Sequence, residues 1–421
     1  MNILGEVLKN EVYPALGCTE PVALAYACAT AAKYAKIKKF NGFSASISVD
    51  PGTYKNGFAV TLPNTSGESG NLLACALGFL IQKPQMKYSI FAAADKNTLK
   101  KAKKLALSGK INLSIDYTKK DFFAEVTVKQ GNTQVICALN GGHFNITLLS
   151  VNDRIIKTAK EKKKERSYRE FLKKSSFKDL VKYADKATHK ELSHIKKGVE
   201  MNLSVSQKGL NFGKTASILN LYYKKDESYL TQAKIKSAAA TDARMNGLPM
   251  PVMSSGQSGN QGVVATILPW IYGKANDIEE KKILKSIALA HLINGYIKTF
   301  LGELSPICGC AVSSGAGAAC ALAYQETKNC EIIEKAAKNV IADLGGMFCD
   351  GAKASCALKV VSACDCAHRS ALLALKGWSP SDREGFCGKT FCDTVKNLAR
   401  LSMVGMSAVD SLIIDAMSSK K

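Results

Sequence analysis

A chain of 421 residues is long enough to bury a substantial core in two or three domains, and its size calls for no disulfide or metal staple. At 46% hydrophobic and 22% charged residues the composition is that of a soluble globular protein, and the runs Val263–Tyr272 and Ile287–Ile297 are cut by Pro269 or by polar residues before reaching membrane-spanning length. The formal charge of +23 raises nucleic acid as a partner, and the 14 cysteines call for a chemical explanation.

Glu6 and Glu11 interrupt the N-terminus, which has no continuous apolar core of secretory length. The chain therefore reads as cytoplasmic, where thiols stay reduced and clustered cysteines favour metal or redox chemistry over disulfides. Leu4–Lys36 has Ala-rich helical composition, with Pro14 and Gly17 expected to break it into two helices. In the segment GCTEP, Thr19 suits a helix cap and Pro21 an early helical position. Cys18 then lies near the positive end of the second helix, a setting that favours thiolate.

From Asn41 to Asn152 the pattern alternates in β-branched strands: SASISVD, GFAVTLP, INLSIDY, FAEVTVKQ, TQVICAL and FNITLLSV, with one Ala-rich helix over Leu72–Leu80. The basic stretch Lys157–Val199 reads as helices on the surface of this unit, and Lys100–Lys104 as an amphipathic segment. Lys mixes there with Glu or Ala, Phe171 and Phe177 suit apolar faces, and His189 and His194 suit solvent. No nucleic-acid motif accompanies the charge, so no nucleic-acid partner and no membrane partner is expected. Beyond Leu203 the sequence is helical through Met417, and the closing MSSKK reads as a short disordered tail. The expected fold is α+β: helices at 1–38 pack on a mainly helical domain at 201–421, and an α+β domain at 39–200 is inserted between them.

Ten of the fourteen cysteines lie after residue 300, in CGCAVSSGAGAAC, GMFCDGAKASC, ACDC and beyond. Their spacing matches neither a paired CxxC zinc site nor a ferredoxin run, so any ligands must converge from distant segments. Cys28, Cys75, Cys137, Cys320 and Cys330 read as small buried apolar residues. Cys18, Cys308 or Cys310, and Cys349 are the candidate ligands, because flanking glycine or a helix start permits the close backbone approach that an iron–sulfur core requires. Two Gly/Ser loops offer amides and hydroxyls for a carboxylate: NTSGESGN, with Thr65 and Ser66, and SSGQSGNQG, with Ser254, Ser255 and Asn260. His143 follows a Gly pair in NGGHFNI, and Asp350 and Lys353 follow Cys349, where they orient the ligand or form a structural ion pair.

Four motifs in order, EVYPALGCTEPVALAYA (residues 11–27), VMSSGQSGNQG (252–262), CGCAVSSGAGAAC (308–320) and GMFCDGAKASCALK (346–359), resemble the L-cysteine desulfidase family, which is related to the α chain of iron–sulfur L-serine dehydratases. The resemblance implies a [4Fe–4S] cluster held by three cysteines, with one iron open to a small amino-acid substrate. Those positions match Cys18, Cys349 and one thiol of the CGC pair, Cys310 being preferred to Cys308. It further implies α,β-elimination of L-cysteine to hydrogen sulfide, ammonia and pyruvate, in a homodimer. The same reaction on L-serine, and a non-catalytic iron–sulfur regulatory protein, are the alternatives. His143 and Lys353 are the expected catalytic residues, and Ser254, Ser255, Asn260, Thr65 and Ser66 the expected substrate contacts. Three departures from the family pattern stand out: Phe144 occupies a position where a Thr is expected, NTSGESGN stands where a Gly-Thr-Gly type of loop is expected, and no cysteine lies in the closing MSSKK.

Overall fold

The computed structural model describes residues 1–119, 121–158, 167–302 and 304–419. Helix α1 (Ile3–Glu11) starts where the Asn2 side chain accepts from the Gly5 N–H, and it leads to a two-residue strand, β1 (Pro14–Ala15). Gly17 then adopts a positive φ and turns the chain into α2 (Thr19–Tyr34), with Cys18 as its N-cap. The expected break at Pro14 and Gly17 is present.

Strand β2 (Phe43–Val49) runs into α3 (Pro51–Phe58), followed by α4 (Asn71–Ile81) and α5 (Lys96–Ala106). Strands β3 (Ile111–Ile115), β4 (Phe123–Gln130), β5 (Thr133–Asn140), β6 (Ile146–Val151) and β7 (Arg154–Thr158) complete a six-stranded sheet of order β3-β2-β4-β5-β6-β7. Only β2 and β3 run parallel; the other pairs are antiparallel.

Two segments differ from the sequence reading. GFAVTLP is not a strand: Asp50 accepts from the Thr53 N–H, Pro51 takes the first helical turn, and α3 consumes the first two residues, leaving a single bridge between Thr61 and Ser69. Lys157 belongs to edge strand β7 rather than to a helix, and of the basic run that follows, residues 159–166 lie outside the described residues.

The helical part comprises α6 (Ser167–Lys174), α7 (Phe177–Asp185), α8 (His189–Gly209), α9 (Thr215–Tyr222) and α10 (Tyr229–Met245). A short strand β8 (Val252–Met253) pairs antiparallel with β1 before α11 (Gly259–Ala275), α12 (Glu280–Leu301), α13 (Ser313–Glu326), α14 (Cys330–Leu344), α15 (Cys356–Leu375), α16 (Phe391–Arg400) and α17 (Val409–Ser418). Of the closing MSSKK, Met417 and Ser418 end α17, and Lys420 and Lys421 lie outside the described residues.

Two apolar cores organise the molecule. One joins α2 and α4 to the sheet through residues such as Leu24, Cys28, Leu77, Phe79, Ile47 and Val126. A Cβ at Gly78 would lie 2.3 Å from the Ala25 carbonyl oxygen, so glycine lets α4 reach α2. The other core holds α1, α6–α8 and α10–α16. The N-terminal helices therefore part company: α1 packs on the helical core, whereas α2 packs on the sheet. Helices α6–α8 likewise turn their apolar residues, Leu172, Leu180, Ile195 and Val199 among them, toward the helical core rather than the sheet.

Cys28, Cys75, Cys137 and Cys320 are fully buried, and Cys330 is half-buried. His189 is exposed, but His194 is tied down, its ring Nε2 lying 2.9 Å from the Val12 carbonyl oxygen. Among the described residues no single helix is long and apolar enough to cross a membrane. The bent pair Phe391–Gly405 and Val409–Ser418 meets that test only as a pair, and it buries Phe391, Val395 and Leu398 in the helical core.

Candidate functional site

A cavity of about 120 Å³ opens where the sheet unit meets the helical unit. Ligand pockets for drug-sized molecules run to roughly 300–1,000 Å³, so this one suits a small polar molecule. Four helices whose starts carry no side-chain cap present their first turns to it, through Cys18–Glu20 of α2, Ser258, Asn260 and Gln261 of α11, Ser313 of α13 and Cys356 of α15, whereas α3, which reaches it at Gly52, is capped by Asp50. Their unsatisfied N–H groups and aligned dipoles make its walls favourable to negative charge.

Five thiols line the cavity: Cys18, Cys308, Cys310, Cys349 and Cys356. Backbone pairing brings two of their segments together, with Cys308 N–H donating to the Met347 carbonyl at 2.8 Å and Cys349 N–H to that of Pro306 at 2.5 Å. Lys55 of α3 donates to the Cys349 carbonyl at 2.7 Å and pairs with Asp410 of α17, tying the sheet unit to the Cys349 loop. Gly351, at positive φ, is the only residue that fits there, because a Cβ would meet the Lys55 carbonyl oxygen at 2.5 Å. From the other side Cys18 packs in a small cluster that includes Cys356.

The thiols are electrostatically unequal. A hydrogen bond from Cys310 brings Cys308 down to about 6 against the effect of burial, helped by the Ala311 N–H and by Lys359; the same bond and burial drive Cys310 up. Burial also raises Cys349, opposed by Lys55, and pushes Cys356 up to about 11. Cys18 is raised by burial and by Glu20, whose Oε2 accepts its S–H at 2.8 Å. Among the described residues no three His, Cys, Asp or Glu side chains converge tightly enough to hold a single metal ion. The thiols instead stand around a shared space. This donor set, with Lys55, Lys359 and four helix N-termini to offset thiolate charge, fits an iron–sulfur group held from several walls.

His143 also lines the cavity and is 7% exposed, its ring 4.8 Å from that of Phe122. Glu20 faces it. Burial works to raise the Glu20 carboxyl, but attraction to His143 when its ring is protonated, the Cys18 thiol and the Asn56 amide together hold it below its ordinary value. Phe144 packs edge-on against Tyr26 and Tyr88, an aromatic anchor that helps fix the His143 turn.

Cys18, His143, Asn260, Cys308, Cys310 and Cys349 thus meet at one cavity, and the other expected contacts do not line it. Ser254 accepts from the Tyr13 N–H and donates to the Glu11 carbonyl, while Ser255 bonds His291 and Asn294. The Thr65 hydroxyl closes its own turn on the Leu62 and Glu68 carbonyls, and Ser66 sits beside it at positive φ. Lys353 pairs with Asp350, which Lys359 also engages; against the effect of burial these two lysines hold the Asp350 carboxylate below its usual range. Asp350 and Lys353 are thus joined as an ion pair. Asn260 lines the cavity with its Oδ1 accepting from Arg244 Nη1 at 3.0 Å. Glu20, Lys55, Arg244, Cys356 and Lys359 are cavity residues that sequence reasoning passed over. Lys359 and Cys356 belong to the motif that carries Cys349, and Arg244 is a charge in an otherwise buried Ala-rich helix, a signal that was there to find.

The serine dehydratase alpha chain family model matches residues 85–415. Over its full length the chain is similar to UPF0597 proteins: one from Elusimicrobium minutum is 46% identical, covering 100% of both chains, and one from Geobacter sulfurreducens is 42% identical, covering 100% of this chain and 99% of that one. A third, from Clostridium tetani, is 33% identical over 99% of this chain and 98% of its own.

Proposed function

The chain belongs to the serine dehydratase alpha chain family, and on that premise we propose that it is an iron–sulfur lyase that eliminates sulfide from L-cysteine. The observation that carries this reading is the meeting of five thiols with His143 and Glu20 at one small cavity. Cys18, Cys349 and one of Cys310 and Cys308 would hold a [4Fe–4S] cluster. When bound, the cluster supplies an open iron as a Lewis acid toward the substrate carboxylate and the departing thiolate.

The chain's own residues provide the rest. His143 takes the α-proton on a ring nitrogen, and the Glu20 carboxylate stabilises the imidazolium that forms, as a carboxylate does behind a catalytic histidine. The electron pair of the broken Cα–H bond forms the Cα=Cβ bond as the Cβ–S bond breaks, and sulfide leaves with its pair. The 2-aminoacrylate that remains tautomerises to an imine, which takes up one water to give ammonia and pyruvate. The N-termini of α2, α11, α13 and α15 favour the anionic groups throughout.

Loss of water from L-serine is the second reading, favoured by the family's own description. Anaerobic assays with both substrates distinguish the two. The expected result is equimolar sulfide and pyruvate from L-cysteine, at a kcat/KM about tenfold or more above that for pyruvate formation from L-serine. Equal or better turnover of L-serine would transfer the assignment to the dehydratase.

A further inference from the structure

Arg244, one residue from the end of α10, is 4% exposed, lines the cavity, and pairs with no carboxylate among the described residues. Its Nη1 donates to Asn260, but its Nε is buried without an acceptor. An uncompensated guanidinium in so dry a place is costly, and such groups are retained where an anion completes them. The side chain lies flat against the first residue of α11: a Cβ at Gly259 would come within 2.4 Å of its Nε. Ser258, the N-cap of that 17-residue helix, makes no side-chain cap, so the first-turn N–H groups and the guanidinium face the same space.

We propose that Arg244 is the carboxylate-recognition residue of the site. This inference rests on the small-amino-acid lyase reading and deepens it. A planar guanidinium presents paired donors that match a carboxylate, which lysine does not. Asn260 holds the fork in place, and Gly259 gives it room. The SSGQSGNQG loop thus serves carboxylate binding through the residue it braces rather than through Ser254 and Ser255, whose hydroxyls are engaged elsewhere.

Equilibrium binding to the anaerobic holoenzyme tests this with two unreactive probes: L-alanine, which has no leaving group, and ethylamine, which lacks the carboxylate. The wild-type protein is expected to bind L-alanine about 30-fold or more tightly than ethylamine, the loss typical of truncating one partner of a buried charge pair. In Arg244→Leu that preference should fall by about tenfold or more with iron content unchanged, and in Arg244→Lys it should be only partly restored. Gly259→Ala keeps the charge but displaces it, and should lose the preference even if Arg244→Leu fails to fold. A retained preference in Arg244→Leu or in Gly259→Ala, or loss of iron on replacing Arg244, would overturn the assignment. Arg244-dependent L-alanine binding without L-cysteine or L-serine turnover would sink the lyase reading and leave this one standing. Turnover with a preference insensitive to Arg244 would do the reverse.

Discussion

Cys349→Ala is expected to strip the protein of its cluster and to lower L-cysteine turnover by about a thousandfold or more, since a metal Lewis acid contributes several kcal/mol and each roughly 1.4 kcal/mol is tenfold. Cys18→Ala should match it from the opposite wall of the cavity. The CGC pair is the informative case. Cys308 is the thiol held down to about 6 and bonded to Cys310, so either could be the third ligand by position. Cys310 is the proposed ligand: Cys310→Ala should lose iron, and Cys308→Ala should keep it with a milder packing defect. The opposite outcome would reassign the ligand to Cys308. Cys356→Ala tells whether the fifth thiol belongs with the ligands or with the walls. Cys28→Ala and Cys320→Ala are controls. Both thiols are fully buried in apolar cores, and losing either should cost about 1 kcal/mol of stability with the iron retained. A full cluster and normal turnover in Cys18→Ala would leave the GCTEP motif a purely structural role.

His143→Ala carries the second large effect. Removing a general base lowers kcat by about 10²–10⁴-fold. Because the imidazole is separate from the thiol donors, the visible absorption and the iron content should be unchanged. KM for L-cysteine should move little, since Arg244 and the helix N-termini, rather than His143, carry ground-state binding. Solvent deuterium exchange at the α-carbon of a bound, unreactive amino acid should disappear in the variant and persist in the wild type. Activity within a few-fold of wild type, or exchange that survives the substitution, would remove His143 from the reaction and direct attention to Lys55, Lys298 and Lys359, the lysines that line the cavity.

Much of this arrangement can be read from local signals. Pro14 and Gly17 break the first helix pair because neither can continue a helix at those positions. Alternation gives five of the sheet strands, since one face is buried against α2 and α4. It fails at GFAVTLP, where the Asp50–Pro51 start of α3 overrides an alternating pattern, and at Lys157, where an exposed edge strand carries no apolar face to announce itself. Which core each helix joins is a matter of long-range packing, so the separation of α1 from α2, and the turn of α6–α8 toward the helical core, lie beyond local pattern. The cavity divides in the same way. Cys18, Cys310 and Cys349 carry motif and glycine signals in the chain itself. Glu20 and Arg244 acquire their meaning only when α2 and α10, more than 200 residues apart, are brought to one space. The hydroxyls of Ser254, Ser255 and Thr65 look suited to a carboxylate as sequence, but Ser254 and Thr65 close backbone contacts of their own and Ser255 is held by the His291 and Asn294 side chains.

Purifying the protein without oxygen, and following iron, colour and L-cysteine turnover together as air is admitted, tests whether it is a cluster-dependent lyase. The expected result is a brown protein with about four irons per chain, as a cubane requires, whose colour and sulfide release decay in parallel. A colourless protein holding stoichiometric zinc, with turnover undiminished in air, would contradict it.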